Sequence, residues 1–297
     1  MKVAAAVALL AGLVPLARAL VLPRADPTPV SAATIASFKP YSFFASAGYC
    51  KPNVTISWTC GANCNALQGF LPTASGGDGS DVQFWFVGFY PPLNSVLVVH
   101  QGTDPSQIQA LLNDADFILD PLNQKLFPGA PSGIKVHSGF REIHEATAPN
   151  ILAAVRTSMA AHGTNKVAVA GHSLGAALAM LDAVYLRLNL PASTSIKFVG
   201  YGTPRVGNPT WASFVDAQIP DLTHINNKKD IVPILPGRFL GYAHPHGEIH
   251  IQDSNAWVSC ALPDDTAPGC IIDEVPNIFV GEESDHDGPY DGVLMGC

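Results

Sequence analysis

The sequence predicts an α/β fold, with a central, mostly parallel sheet covered by helices on both faces. Three observations carry that expectation. Short β-branched apolar runs alternate with longer helical segments from Ser95 to Asn226. Lys166–Ala176, KVAVAGHSLGA, reads as a buried strand, a tight turn and a small-residue helix in direct succession. The chain has 297 residues, of which 47% are hydrophobic and only 13% charged, enough apolar material for one large core and too much for disorder.

The N-terminus reads as a signal peptide over residues 1–19. Lys2 supplies the positive end, Val3 to Leu16 a short apolar run, and Ala17-Arg18-Ala19 a small-x-small cleavage site. Residues 20–297 then form a single domain. Its first stretch, 20–30, is Pro-rich and extended, with a further trim after Arg24 as an option. Ser31 to Ala47 looks helical, with Pro40 a kink or break. Gly76 to Ser80 is a turn cluster before a strand at Val82–Val87, and Pro91 to Asn94 turns the chain into a second strand, Ser95–His100. Glu142 to His162 carries helical periodicity, with Pro149 as its kink or break. Beyond the KVAVAGHSLGA unit come a strand at Ser195–Tyr201, a short helix at Pro209–Ala217 and a strand at Leu222–Asn226. Glu248–Ile251 and Ala256–Cys260 read as edge strands.

A net charge of −8 without a basic stripe argues against nucleic acid as a partner. No segment is long and apolar enough to span a bilayer. Export permits disulfides, and the six cysteines all lie downstream of the signal. Spacing alone does not settle their connectivity; the expected scheme is Cys60–Cys64, Cys260–Cys270 and a link between the ends, Cys50–Cys297. Asn53-Val54-Thr55 is a glycosylation acceptor in keeping with the same compartment.

The chemistry centres on Ser173. In Gly171-His172-Ser173-Leu174-Gly175 the glycines allow a turn too sharp for flanking side chains, which lifts the serine hydroxyl clear of the backbone. A serine nucleophile needs a base and an orienting acid, and on such elbows both follow it in the chain. Asp230, at the carboxyl end of the Leu222–Asn226 strand and followed by Ile231-Val232-Pro233, is the acid candidate; a loop carboxylate paired with Lys228 or Lys229 is the competing reading. The base candidates are His244, His246, His250 and His286. A metal site built on the first three lacks a supporting carboxylate or cysteine cluster, so no metal and no other cofactor is expected. The residues by themselves leave His250 and His286 in competition. The N–H of Leu174, at the start of the helix, is one oxyanion-hole donor.

Six motifs in order carry a resemblance: VVHQGT (98–103), VHSGF (136–140), VAVAGHSLG (167–175), GTPRVGN (202–208), DIVP (230–233) and Asp285-His286. The chain resembles secreted fungal class 3 lipases of the α/β-hydrolase fold, from about Tyr41 to the end. The resemblance implies a Ser173–Asp230–His286 triad, leaves His250 a structural role, and implies Thr103 as second oxyanion donor. It also places a short lid helix between VVHQGT and VHSGF. There Asp104 can cap a helix, Pro105 suits its first position, and Ile108, Leu111 and Leu112 share one apolar face; a helix packed permanently on the core is the alternative. The expected function is a secreted triacylglycerol lipase, monomeric and acting on lipid esters at an oil–water interface. A carboxylesterase or feruloyl-type esterase acting on soluble esters is the alternative. An intact elbow, acid and histidine argue against a non-catalytic binding protein.

Overall fold

The computed structural model describes residues 26–103 and 117–297. The signal segment, its cleavage sites and the lid residues Ile108, Leu111 and Leu112 lie outside the described residues. In chain order the main elements are β1 (Thr28–Pro29), α1 (Ala32–Ala47), α2 (Pro52–Thr55), α3 (Ala62–Ala66), β2 (Leu71–Gly76), β3 (Trp85–Tyr90) and β4 (Ser95–His100). There follow β5 (Leu119–Pro121), β6 (Lys135–His137), α4 (Ser138–His162), β7 (Lys166–His172), α5 (Leu174–Asn189), β8 (Ser195–Tyr201) and α6 (Pro209–Gln218). The last are β9 (Asp221–Asn227), β10 (Glu248–Ile251), β11 (Trp257–Ser259) and α7 (Ile271–Glu274).

Nine strands form one sheet in the order β1-β11-β10-β9-β8-β7-β4-β3-β2. The central run from β4 through β7, β8 and β9 to β10 is parallel. Antiparallel pairs flank it on both sides, so the sheet is mixed, with a parallel centre. Period-two alternation explains its two covered faces. On β4, Val96 and Val98 face the helices α4 and α5, while Leu97 and Val99 face α1. β7 repeats the pattern with Val167 and Val169 on the first face and Ala168 and Ala170 on the second. Helix α5 is buried along its whole first three turns, Leu174–Leu186, which explains its run of alanines. Among the described residues no helix is long and apolar enough to cross a membrane.

The structure departs from the sequence expectations in four places. Pro40 lies inside one continuous helix, because residues beyond it, Tyr41, Phe44 and Ala45, are buried in the same core as Phe38 before it. Pro149 likewise interrupts nothing in α4: it is exposed, and buried residues on both sides hold the helix together. That helix begins at Ser138, a turn earlier than expected. The strand expected at Val82–Val87 starts at Trp85, since the backbone before it is held by side chains: Asp78 accepts from the Val82 N–H and Gln101 from the Phe84 N–H. Glu248–Ile251 is not an edge, because β1 and β11 close the sheet beyond it.

Three disulfides join Cys50 to Cys297, Cys60 to Cys64 and Cys260 to Cys270. The first spans 247 residues and ties the end of α1 to the C-terminus. In the chain-entropy account a loop of that length restricts the unfolded state by about 5 kcal/mol, against about 2 kcal/mol for the smallest loop. Replacing Cys50 and Cys297 by Ser is therefore expected to lower unfolding free energy several-fold more than replacing Cys60 and Cys64, measured by guanidinium denaturation.

Glu248 on β10 is buried and accepts the Ile271 N–H at 2.8 Å. Burial pushes its carboxyl up to about 8, against the Ile271 hydrogen bond and with help from Asp265 and Asp264. The folded chain thus holds a proton that the unfolded chain releases near pH 4.5. The stabilisation is fully present below pH 4.5 and is lost as pH rises through about 8. Glu248→Gln should flatten the fall in stability across that window by up to about 1.4 kcal/mol per pH unit, read from denaturation at a series of pH values.

Candidate active site

The parallel strands deliver the site at their carboxyl ends. β7 ends at His172, Ser173 makes the turn, and α5 begins at Leu174. Ser173 sits at φ 58°, ψ −132°, a left-handed backbone that non-glycine residues rarely adopt. The turn closes so tightly that a Cβ at residue 171 would collide with the Gly175 carbonyl, and one at 175 would lie 2.5 Å from the His100 carbonyl oxygen. Ser173 is 2% exposed, and its N–H donates to the Tyr201 carbonyl at the end of β8 at 2.9 Å.

Asp230 follows β9, and His286 lies on the loop after α7. Both are fully buried, and His286 Nδ1 stands 2.8 Å from Asp230 Oδ2. The other Asp230 oxygen accepts the Val232 N–H at 2.8 Å. A carboxylate only accepts, so the imidazole donates from Nδ1 and leaves the Nε2 lone pair bare. Among the described residues that Nε2 is buried and has no hydrogen-bond partner. Gly202, at φ 52°, lies beside the pair: a Cβ there would come within 2.8 Å of both Asp230 Oδ2 and the His286 ring. Its N–H donates to the Ile225 carbonyl, so the backbone after β8 links the serine turn to the acid–base pair.

His286 is further held through its carbonyl oxygen. His172 Nε2 lies 2.8 Å from it and the Tyr290 hydroxyl donates to it at 3.0 Å. Burial, and then the neighbouring His286, hold the His172 imidazole well below its usual range, so it is neutral. Its Nε2–H therefore donates to His286, and its Nδ1 accepts the Tyr49 hydroxyl at 2.6 Å. The loop carrying Asp230 is pinned too. The Arg205 guanidinium donates to the carbonyls of Ile234 and Pro236 and pairs with Asp264, 2.7 Å from its Nε. His244 Nε2 donates to the Pro233 carbonyl at 2.8 Å.

The remaining sequence candidates separate cleanly. Thr103 follows β4; it is buried, and its hydroxyl has no partner among the described residues. Leu174 is buried at the first position of α5. His250 has both ring nitrogens against carbonyl oxygens, Gly269 at 2.7 Å and Lys228 at 2.8 Å, which leaves no free nitrogen for a base. His244 stacks on His224, and His246 is exposed and paired with Asp216. The three histidines thus make separate contacts. Lys229 reaches Asp253 rather than Asp230. Asn53 is exposed on α2. Sequence reasoning passed over the supporting roles of Tyr49, His172 and Tyr290. It also passed over a buried trio, His100, His144 and Asp182, although His100 and His172 stand inside motifs it had quoted.

Beside Ile231 opens a groove of about 680 Å³ lined by Ile234, Leu235, Ile272, Val275 and Ile278. Phe239 in its lining is 90% exposed, and Phe279, next in the chain to the lining residue Ile278, is 91% exposed.

Comparison with known proteins agrees with this geometry. The class 3 lipase family model matches residues 97–240. A secreted mono- and diacylglycerol lipase LIP2 of Malassezia restricta is 33% identical over 156 residues, 52% of this chain and 50% of that protein. LIP1 of Malassezia globosa, a secreted mono- and diacylglycerol lipase, is 34% identical over 57% of this chain and 55% of its own length. The chain thus spans about half the length of these relatives. Lipase II from Rhizopus niveus superposes with a TM-score of 0.79 at 26% identity, covering 91% of this chain and 99% of that one. A triacylglycerol lipase structure described as having a serine protease triad at its catalytic centre gives 0.76 at 25% identity, with 91% and 98% covered. From the ordered motifs, the elbow geometry and these likenesses together, residues 97–240 match the class 3 lipase family and the chain has the α/β-hydrolase fold of the fungal lipases.

Proposed function

We propose that the chain is a secreted lipase that hydrolyses carboxylic esters of glycerides through Ser173, His286 and Asp230. The observation that carries the reading is His286, oriented by Asp230 through Nδ1, with a buried Nε2 that has no hydrogen-bond partner among the described residues and a ring 4.3 Å from that of His172, the residue before the strained serine. In this mechanism Ser173 Oγ attacks the ester carbonyl carbon while His286 Nε2 takes its proton. Asp230 stabilises the imidazolium. The N–H of Leu174 and the Thr103 N–H and hydroxyl hold the oxyanion. The tetrahedral intermediate collapses, the alcohol leaves with the proton from His286, and water hydrolyses the acyl-enzyme by the same sequence. One chain supplies every group, in keeping with a monomer that needs no cofactor.

The apolar groove beside Ile231 and the two exposed phenylalanines support an acyl chain and an oil surface as the substrate environment. The apolar segment containing Ile108, Leu111 and Leu112 is read as a lid. Secretion is supported by the three disulfides, by the signal-like N-terminus and by the secreted relatives; Asn53 is the proposed glycosylation site.

Ser173→Ala and His286→Ala should each leave a folded protein whose turnover of p-nitrophenyl butyrate falls on the order of a million-fold. His250→Ala should retain activity and lower the melting temperature, since it removes two buried contacts. An inactive but folded His250 variant beside an active His286 variant would reverse the assignment.

Changing Phe239 and Phe279 to Ser should reduce hydrolysis of emulsified triolein at least tenfold and leave the soluble butyrate ester nearly unchanged. Ser at 108, 111 and 112 should do the same. Apolar contact is worth roughly 25 cal/mol per Å², and only the emulsion uses that area. Equal losses on both substrates would indicate core packing, and a wild type inactive on triolein would favour the soluble-ester alternative.

A further inference from the structure

Beneath the site lies a polar cluster that the mechanism does not use. Asp182, on α5, is fully buried. Its Oδ2 lies 2.6 Å from His100 Nε2 and its Oδ1 lies 3.0 Å from His144 Nε2. Both histidines are fully buried, and the Nδ1 of each has no partner among the described residues. A carboxylate enclosed this way is tolerated only when donors compensate its lost hydration. Here burial works to raise the Asp182 carboxyl, but the two imidazole N–H bonds outweigh it and hold the group at about 2. Three elements meet at this one side chain: the end of β4, helix α4, and α5.

We propose that Asp182 is a positioning residue for the oxyanion hole: it holds His100, and with it the strand end that delivers Thr103, against the helix that begins beside Ser173. The proposal rests on reading Thr103 and Leu174 as the oxyanion donors. Those donors lie on different segments, one three residues past the end of β4 and one at the start of α5, and neither is bonded to the other. Their separation is set by how closely the strand end meets the helix. That contact is direct, since Gly175 packs against the backbone of His100 and Gln101 with no room for a Cβ. Contact of that kind resists compression but not separation. The charge-assisted bond from His100 to Asp182 supplies the missing restraint, and it does so on the helix that carries the other donor. Oxyanion donors act within a few tenths of an ångström of 2.7–3.1 Å, so a small drift of the strand end weakens catalysis without touching the triad. His144 bonds the second carboxylate oxygen from α4, which carries no donor, and so has a structural part only.

The test compares p-nitrophenyl butyrate with its thionoester, in which sulfur replaces the carbonyl oxygen. Sulfur accepts hydrogen bonds poorly, so the ratio of oxoester to thionoester turnover reports the oxyanion hole, whereas a loss of folded enzyme lowers both rates together. Asp182→Asn and His100→Asn should lower kcat on the oxoester by about tenfold to a hundredfold at nearly constant KM, and should lower the ratio. His144→Asn should lower the melting temperature and leave the ratio at its wild-type value. Thr103→Val, which removes the hydroxyl donor, should lower the ratio as a calibration. A lowered ratio in Thr103→Val with wild-type ratios in His100→Asn and Asp182→Asn overturns the positioning role alone. A wild-type ratio in Thr103→Val overturns the assignment of the Thr103 hydroxyl as a donor. A ratio lowered as much by His144→Asn as by His100→Asn also overturns the proposal, because the restraint would not act through the strand. If Asp182→Asn does not fold, His100→Asn decides the matter by the same ratio.

Discussion

The left-handed backbone at Ser173 is the constraint on which the other parts depend. A residue with a Cβ at φ 58° is strained, and the strain persists only because the surroundings leave no alternative. Those surroundings are close contacts of main chain with main chain. Residue 171 meets the carbonyl of residue 175, and residue 175 meets the end of β4, which only glycines permit. The same contacts bring the serine, the first N–H of α5 and the strand carrying Thr103 to one edge of the sheet. The parallel order of β4, β7, β8 and β9 then places Gly202 and Asp230 at that edge as well.

The acid and base sit on long excursions from the sheet, where position must come from hydrogen bonds. Each excursion is tied by buried polar groups that hold its carbonyls and backbone N–H groups. Arg205 and His244 hold three carbonyls of the 233–236 turn, and the Lys229 N–H and Asn227 side chain bind Asp285 beside His286. The Tyr49–His172 relay and Tyr290 hold the carbonyl of His286 itself. Burial keeps His172 neutral, and it keeps His224 and His244 neutral by lowering them to about 3 and about 4. The imidazoles packed around the site therefore act as fixed donors to carbonyls, whereas His286 is oriented by a carboxylate and keeps its Nε2 without a partner among the described residues.

The surface on the groove side follows a different rule. Ile231, Val232, Ile234, Ile271, Ile272 and Val275 form a small core of their own, separate from the two that sandwich the sheet. It starts at the residue after Asp230, and its Ile231, Ile234, Ile272 and Val275 also line the groove. Phe239 and Ile278 of the lining extend into solvent, and Phe279, next to Ile278 in the chain, is exposed as well.

Much of this was legible in the sequence for a local reason. The elbow is a contiguous strand, turn and helix, so its glycines and its serine declare themselves by order along the chain. Short apolar, β-branched runs likewise declared β4, β7 and β8, and Asp230 was found because it follows such a strand. His250 and His286 remained equivalent on the residues alone, since both are polar positions after the acid. Tertiary structure separates them: two carbonyls close the nitrogens of one, and a carboxylate from 56 residues away opens a single nitrogen of the other. Pro40 and Pro149 failed to break their helices because burial on either side outweighs one lost hydrogen bond, a balance no local window contains. The Asp182 cluster was invisible for the same reason. Its partners lie 82 and 38 residues away, and a carboxylate's place between two imidazoles is decided only when the strand and both helices have packed.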